Sequence, residues 1–229
     1  MDPNQPPQDA GQLLLINKPL GWTSFDAVNK LRYRLKIKKI GHAGTLDPLA
    51  TGLLIICTGK MTKRIEEFMG LEKEYTGTFV IGQTTPSYDL ETAVSEAQDI
   101  SAITKDSILN AVKSLTGKIS QLPPAHSAIK VGGKRAYKFA RQGKEIELKP
   151  REVEVLEFEI TSVTLPLVNF RIVCSKGTYI RSLARDLGES LGVGAYLSQL
   201  CRTRIGSFTL EDALTIDEVN PPHADLLQH

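Results

Sequence analysis

The sequence predicts an α+β (mixed α/β) fold, a central and mostly antiparallel mixed sheet flanked by helices, on three observations. Short apolar runs alternate along the chain with segments whose apolar residues recur at three- and four-residue spacing. Two strand-like runs, Val153 to Ser162 and Val168 to Cys174, lie either side of a turn near Pro166 and form an antiparallel pair. With 41% hydrophobic and 24% charged residues in 229, the composition does not indicate a disordered chain and suffices for one large domain with a sizeable core, or for one domain plus a small insertion.

Leu13 to Ile16 is a short strand ending at Asn17-Lys18-Pro19. A helix follows, capped by Thr23 or Ser24, with Phe25, Val28, Leu31 and Leu35 on its apolar face. Leu53 to Cys57 is apolar at every position and ends at Thr58-Gly59, the pattern of a strand buried on both faces. Thr62 is positioned to cap a short helix with Ile65, Phe68 and Met69 on one side, and Glu74 to Ile81 alternates as a strand carrying Tyr75. Ser107 to Leu115 reads as a helix, with Ile108, Val112 and Leu115 as its stripe. Thr178 is expected to cap a helix whose stripe, Ile180, Leu183, Ala184, Leu187 and Leu191, ends at Gly192. A last strand runs from Leu197 to Ile205, and there is no internal repeat or long low-complexity tract.

One loop carries the strongest chemical signal. In Gly41-His42-Ala43-Gly44-Thr45-Leu46-Asp47-Pro48, the proline pushes Asp47 towards extended geometry and the nearby glycines permit tight turns. A carboxylate is thereby carried on a stiff loop to the edge of a buried strand. An ordinary Asp-Pro turn is the plainer alternative. Arg181 falls in the first turn of its helix, where the helix dipole disfavours a cation. A carboxylate partner would hold it there, and Asp47 is a candidate; the pairing would keep Asp47 ionised. A solvated surface arginine is the alternative.

Charge is unevenly distributed. Residues 1–17 and 205–229 hold seven acids and no Lys or Arg, so Lys18 to Arg204 carries 28 bases against 19 acids. Bases cluster at Arg32, Arg34, Lys36, Lys38 and Lys39, and again at Lys130, Lys134, Arg135, Lys138, Arg141 and Lys144, where Tyr137 and Phe139 are interleaved. Two solvated faces would explain either run alone; together with the Pro123-Pro124 start and Val131-Gly132-Gly133 tip of a projecting loop or hairpin, they favour nucleic acid. The odd number of scattered cysteines, Cys57, Cys174 and Cys201, reads as buried thiols of a reducing compartment. No Cys-x-x-Cys or His-rich cluster suggests a metal. Met1 to Gln12 lacks a basic start and an apolar stretch, so neither a secretory signal nor a membrane span is expected, and a cytoplasmic location is.

The Asp47 box, with Asn17-Lys18-Pro19-x-Gly21, Tyr75, Ser127-Ala128-Ile129-Lys130 and Lys176-Gly177-Thr178-Tyr179-Ile180-Arg181 in that order, resembles the TruB family of bacterial tRNA pseudouridine-55 synthases. The resemblance covers residues 12 to 206 and implies the pseudouridine synthase fold. It divides the chain into an N-terminal extension (1–11, disordered), a catalytic domain (12–206) with a mobile basic RNA-binding insertion (120–151), and a short acidic tail (207–229) in place of a complete PUA-type domain. It implies isomerisation of one T-loop uridine of tRNA after the base is flipped out, without metal or organic cofactor. Asp47 would be the nucleophile, attacking either the ribose or the uracil ring. Arg181 would hold and ionise it, and Tyr75 would stack on the target base and could remove a sugar proton. Tyr179 and Leu200 would line the pocket and His42 would enter the T-loop, while Lys18, Lys130, Lys134 and Arg141 would bind RNA. The expected partner is the T-arm of tRNA, bound by a monomer with no obligatory protein partner and no membrane. A non-catalytic tRNA-binding or tRNA-folding protein, and a phosphoryl-transfer enzyme with Asp47 phosphorylated, are the competing readings; the latter lacks an Asp-x-Asp or glycine-rich phosphate loop.

Overall fold

The computed structural model describes residues 11–220 except 128–129, 132–133, 137–138, 140–141 and 143–147, and only the backbone of Lys130, Val131, Lys134 and Arg135. Most of the expected N-terminal extension, much of the basic insertion including Arg141, and the end of the acidic tail therefore lie outside the described residues. The chain forms two compact units, one of residues 1–75 and 201–229, the other of residues 76–200. Strands β4 (Lys73–Ile81) and β10 (Ala195–Ile205) contribute residues to both.

In the first unit β1 (Leu13–Lys18) leads to helix α1 (Ser24–Leu35), then to β2 (Ile40–Ala43) and β3 (Ala50–Thr58). A 3-10 turn (Gly59–Arg64) and α2 (Ile65–Gly70) complete its N-terminal part, and β11 (Phe208–Thr209) its C-terminal part. Strand order is β1-β3-β10, with β2 also on β3 and β11 on β10. The β1–β3 ladder is antiparallel, from Leu13 opposite Cys57 to Lys18 opposite Gly52. Antiparallel β2 pairs Ile40 with Thr58 through Ala43 with Ile55. Alternation along β3 explains its unbroken apolar run: Leu54 and Ile56 pack with Ile16, Val28 and Leu31, whereas Leu53, Ile55 and Cys57 pack with Ala43, Phe68 and Ile205. A strand buried on both faces needs side chains that tolerate no water on either side, and all five of these are fully buried.

In the second unit the order is β10-β4-β9-β8-β5, with β5 (Gly117–Gln121), β8 (Arg151–Thr164) and β9 (Leu167–Cys174). The β8–β9 ladder closes at Thr164 opposite Leu167, so the turn expected near Pro166 has two residues. Phe79 and Phe170 stack with ring centroids 4.1 Å apart, and Phe158 meets both edge-on. Helices α3 (Lys105–Ser114) and α4 (Ile180–Leu191) pack together. The start of the basic insertion is a two-strand ladder, β6 (Lys130–Val131) against β7 (Lys134–Arg135), as the glycine pair between them suggests. Among the described residues no helix is long and apolar enough to cross a membrane.

Several local expectations need correction. Thr23 does cap α1, in a reciprocal capping box with Asp26, but Phe25 is 61% exposed and Ala27 takes the inward position. Phe25 lies about a quarter turn off the stripe of Val28, Leu31 and Leu35. Thr62 caps no helix: its hydroxyl donates to the Gly59 carbonyl inside the 3-10 turn, and Met69 faces outward. Helix α3 begins two residues earlier than expected, because Thr104 is its cap and Ser107 the reciprocal partner three residues on; Leu115 lies just beyond its end. Thr178 is not the cap of α4 either. Its hydroxyl donates to the Ser175 carbonyl, and the cap position is held by Tyr179 without a side-chain bond. Gly192 ends that helix in the left-handed conformation, as expected. Cys57 and Cys174 are buried, but Cys201 is partly exposed.

Candidate active site

Asp47 lies half-buried in the loop between β2 and β3. Three contacts fix this loop. The Ser24 hydroxyl is 2.8 Å from the Leu46 amide, from which it accepts, and 3.1 Å from the Leu46 carbonyl, to which it donates. The Gly21 amide donates to the Pro48 carbonyl, and the Ala50 amide to the carbonyl of Asp47 itself. Two hydroxyls at the start of α1 thus have different tasks: Thr23 caps the helix and Ser24 latches the loop. Immobilising a charged group in advance is what a reacting centre requires, since order supplied by the fold need not be supplied in the transition state.

Two of this unit's buried cations bear on the loop, the third, Lys73, donating to the Met69 and Leu71 carbonyls. Lys18 is 0% exposed, and its ammonium donates to the carbonyls of Pro19 and Trp22. Burial lowers its pKa from 10.5 to about 8; the Asp47 carboxylate opposes that shift, Arg202 reinforces it, and Asp26 opposes it more weakly. Arg202 is 1% exposed, and its guanidinium donates to the Leu53 carbonyl at 2.8 Å and the Gly44 carbonyl at 3.2 Å. His42, in β2 and half-buried, has its pKa held below the usual 6.5 first by burial and then by Arg202, against a hydrogen bond to the Gly44 backbone, so it is neutral at neutral pH. Asp47 is thus electrostatically coupled to the buried Lys18 ammonium of the same unit.

The second unit contributes the Arg181 turn. Arg181 is 4% exposed, which excludes a solvated surface arginine. Its guanidinium donates to the carbonyls of Ser87 and His126 and forms an ion pair with buried Asp89 at 3.4 Å. The turn is braced by neighbours: the Gln121 amide group accepts from the Tyr179 amide at 2.8 Å and donates to the Tyr179 carbonyl at 3.1 Å, while Ser182 donates to the Leu122 carbonyl. One helical turn on, Arg185 lies over the Tyr88 ring at 5.3 Å, and Tyr88 adopts the left-handed conformation, with φ 64°.

Of the other residues expected at a site, Tyr75 is buried in β4, Tyr179 is half-buried at the start of α4, and Leu200 is half-buried in β10. Lys130 and Lys134 lie in the β6–β7 ladder. Lys18 is buried beneath the chain, so its charge acts from inside the fold. Sequence reasoning missed Ser24, Asp89 and Arg202. The doubled hydroxyl Thr23-Ser24 was a legible signal, because a cap needs only one; Arg202 sits among charged and polar neighbours that read as a solvated strand face. Among the described residues no three His, Cys, Asp or Glu side chains gather where they could hold a metal ion.

Known proteins with this architecture include a chain of a Cbf5-Nop10-Gar1 complex, with TM-score 0.71 and 30% identity, covering 92% of this chain and 54% of that one. A chain of an H/ACA RNP bound to a substrate RNA containing 2'-deoxyuridine gives TM-score 0.68 and 27% identity, covering 92% of this chain and 52% of that one. The present chain thus spans about half the length of those solved chains. The class that the fold and sequence define is that of the pseudouridine synthases. More narrowly, the chain belongs to the TruB family: residues 32–180 match the TruB family pseudouridylate synthase N-terminal domain, and residues 181–224 the tRNA pseudouridylate synthase B C-terminal domain. Relatives named tRNA pseudouridine synthase B include those of Parabacteroides distasonis, 52% identical over 92% of both chains, and Flavobacterium johnsoniae, 55% identical over 90% of this chain and 93% of that one.

Proposed function

We propose that this chain is a tRNA pseudouridine synthase that isomerises one T-loop uridine of tRNA, at position 55, with Asp47 as nucleophile. The observation that carries the reading is the latched Asp47 loop, with buried Lys18 and Arg202 in the same unit, in a chain at least half identical to relatives named tRNA pseudouridine synthase B over nine-tenths of its length. A carboxylate kept ionised at neutral pH is suited to attack an electron-poor carbon of ribose or uracil, as glycosidase carboxylates do. The bond from ribose to uracil nitrogen breaks, the base turns, and a bond to uracil carbon-5 forms; the carbon-5 hydrogen leaves to solvent while the freed nitrogen gains a proton.

In this reading Arg181 stabilises the ionised nucleophile, Tyr75 stacks on the flipped base, and Tyr179 and Leu200 line its pocket. His42, being neutral, enters the T-loop by shape and hydrogen bonding. Flipping the uridine costs a few kcal/mol of unstacking, which favours loops that splay easily. Lys130, Lys134 and Arg141 hold phosphates, an interaction that weakens with salt. The protein acts in the cytoplasm as a monomer.

The test uses an unmodified tRNA transcript with tritium at uracil carbon-5. Wild-type protein without added metal should release tritium, and Asp47→Asn should lower the rate by at least about 1,000-fold while remaining folded. Release from Asp47→Asn at the wild-type rate would refute the nucleophile, and no release from wild type would refute the activity.

A further inference from the structure

We propose that Arg202 is a positioning residue for Asp47: its guanidinium ties together the two arms of the loop that carries the nucleophile. The proposal rests on the reaction proposed above. Gly44 stands three residues before Asp47 and Leu53 six residues after it, and the carbonyls of both accept from the one guanidinium, at 3.2 and 2.8 Å. Because guanidinium is planar and rigid, the two carbonyls are held at a set separation, which a lysine ammonium on a flexible stem cannot impose. The glycines of the motif lie close to the same residue, Gly44 against its side chain and Gly52 against its backbone. A Cβ at Gly44 would stand 3.6 Å from Nη1 of Arg202, and a Cβ at Gly52 would stand 2.4 Å from its carbonyl oxygen and 2.8 Å from its backbone nitrogen. Both arms of the loop therefore lie against Arg202, while Ser24 holds Leu46 within the loop from the other direction.

Stability alone is a poor account of this residue. Arg202 is among the largest fully buried side chains in the protein, and its described hydrogen bonds go to carbonyls, not to a carboxylate. A buried charge satisfied by neutral dipoles keeps much of its desolvation cost, so an apolar side chain of similar volume would cost the fold less. What the apolar side chain could not supply is the tie between the arms and the positive charge, which reaches Lys18 and His42. A nucleophile displaced by about 1 Å loses roughly 100-fold in rate even when the chemistry is untouched.

The experiment compares the full chain as wild type, Arg202→Gln and Arg202→Lys with carbon-5-tritiated tRNA, measuring kcat, KM, tRNA affinity and folded fraction. Arg202→Gln should lower kcat about 100-fold per folded molecule, with KM and tRNA affinity within about twofold of wild type. Arg202→Lys, which restores the charge and one carbonyl bond, should recover about one-tenth to one-third of the lost logarithm of rate. Wild-type kcat per folded Arg202→Gln molecule would overturn the proposal, as would a loss confined to KM. If Arg202→Gln does not fold, Arg202→Lys decides alone: a lowered kcat at unchanged KM supports the tie, and wild-type kcat overturns it. Wild type that releases no tritium defeats the proposed reaction itself, a separate result.

Discussion

The Asp47 loop and the Arg181 turn handle buried charge in opposite ways. In the first unit, two of the buried cations, Lys18 and Arg202, donate their described hydrogen bonds to backbone carbonyls, and Lys18 is electrostatically coupled to the carboxylate of the loop. In the second, buried Arg181 meets buried Asp89, so much of the charge is cancelled locally, and a lattice of Gln121, Ser182 and backbone carbonyls sets the geometry. Uncancelled charge supplies electrostatic work at a reacting centre and contributes little to stability; a cancelled pair is costly to break but exerts a weaker field. Mutations in the first region should therefore act mainly on turnover, and those in the second also on stability.

The largest effect on stability that tests this contrast is a backbone one. Gly52→Ala places a Cβ 2.4 Å from the Arg202 carbonyl at a φ of +99°, so both strain and a clash with unyielding backbone oppose it, and a loss of about 4 kcal/mol is expected by thermal or urea unfolding. Gly192→Ala in the second unit, at φ +73° with open space around it, should cost only about 1 kcal/mol. Equal losses would show that the close approach of the β10 backbone does not confine the first loop. Next comes Asp89→Ala, which leaves the Arg181 guanidinium without its described carboxylate and should destabilise by about 3 kcal/mol. By comparison, Arg202→Met should cost less stability than Asp89→Ala yet lose more turnover than its stability change explains; the reverse ranking would break the division.

The contrast also marks what sequence could and could not reveal. The both-face burial of β3 was legible, because five consecutive apolar residues have no other economical use, and so were the α1 cap and the Gly192 stop. Local rules failed where a side chain had two local options: the Thr178 and Thr62 hydroxyls satisfy turn carbonyls instead of helix amides. Arg202 was hidden for a different reason. Its burial depends on carbonyls about 150 residues away, and charged neighbours such as Arg204, which pairs with Glu72, make the strand look solvated. Asp47 could be singled out from its glycines and proline, but the buried cations of its unit come from segments joined only by folding.

The smallest expected effect is a dependence on pH. Lys18 has a pKa of about 8, well below the ordinary 10.5, chiefly because burial penalises its charge. Below about pH 8 the ammonium is protonated and its charge favours ionised Asp47; above it, the proton leaves and that contribution fades. For stability the sign is the other way. The folded state binds the Lys18 proton more weakly than the unfolded chain, so this group adds stability as pH rises from about 8 towards 10.5. Turnover should therefore fall by a few-fold across pH 8 to 9 while this residue's contribution to stability increases, a divergence that general alkaline unfolding cannot produce. In Lys18→Met the alkaline fall should vanish and the plateau should lie at the lower, deprotonated level. If the fall persists unchanged in that variant, the titrating group is elsewhere, and Arg202 alone supplies the internal charge that distinguishes the Asp47 loop from the Arg181 turn.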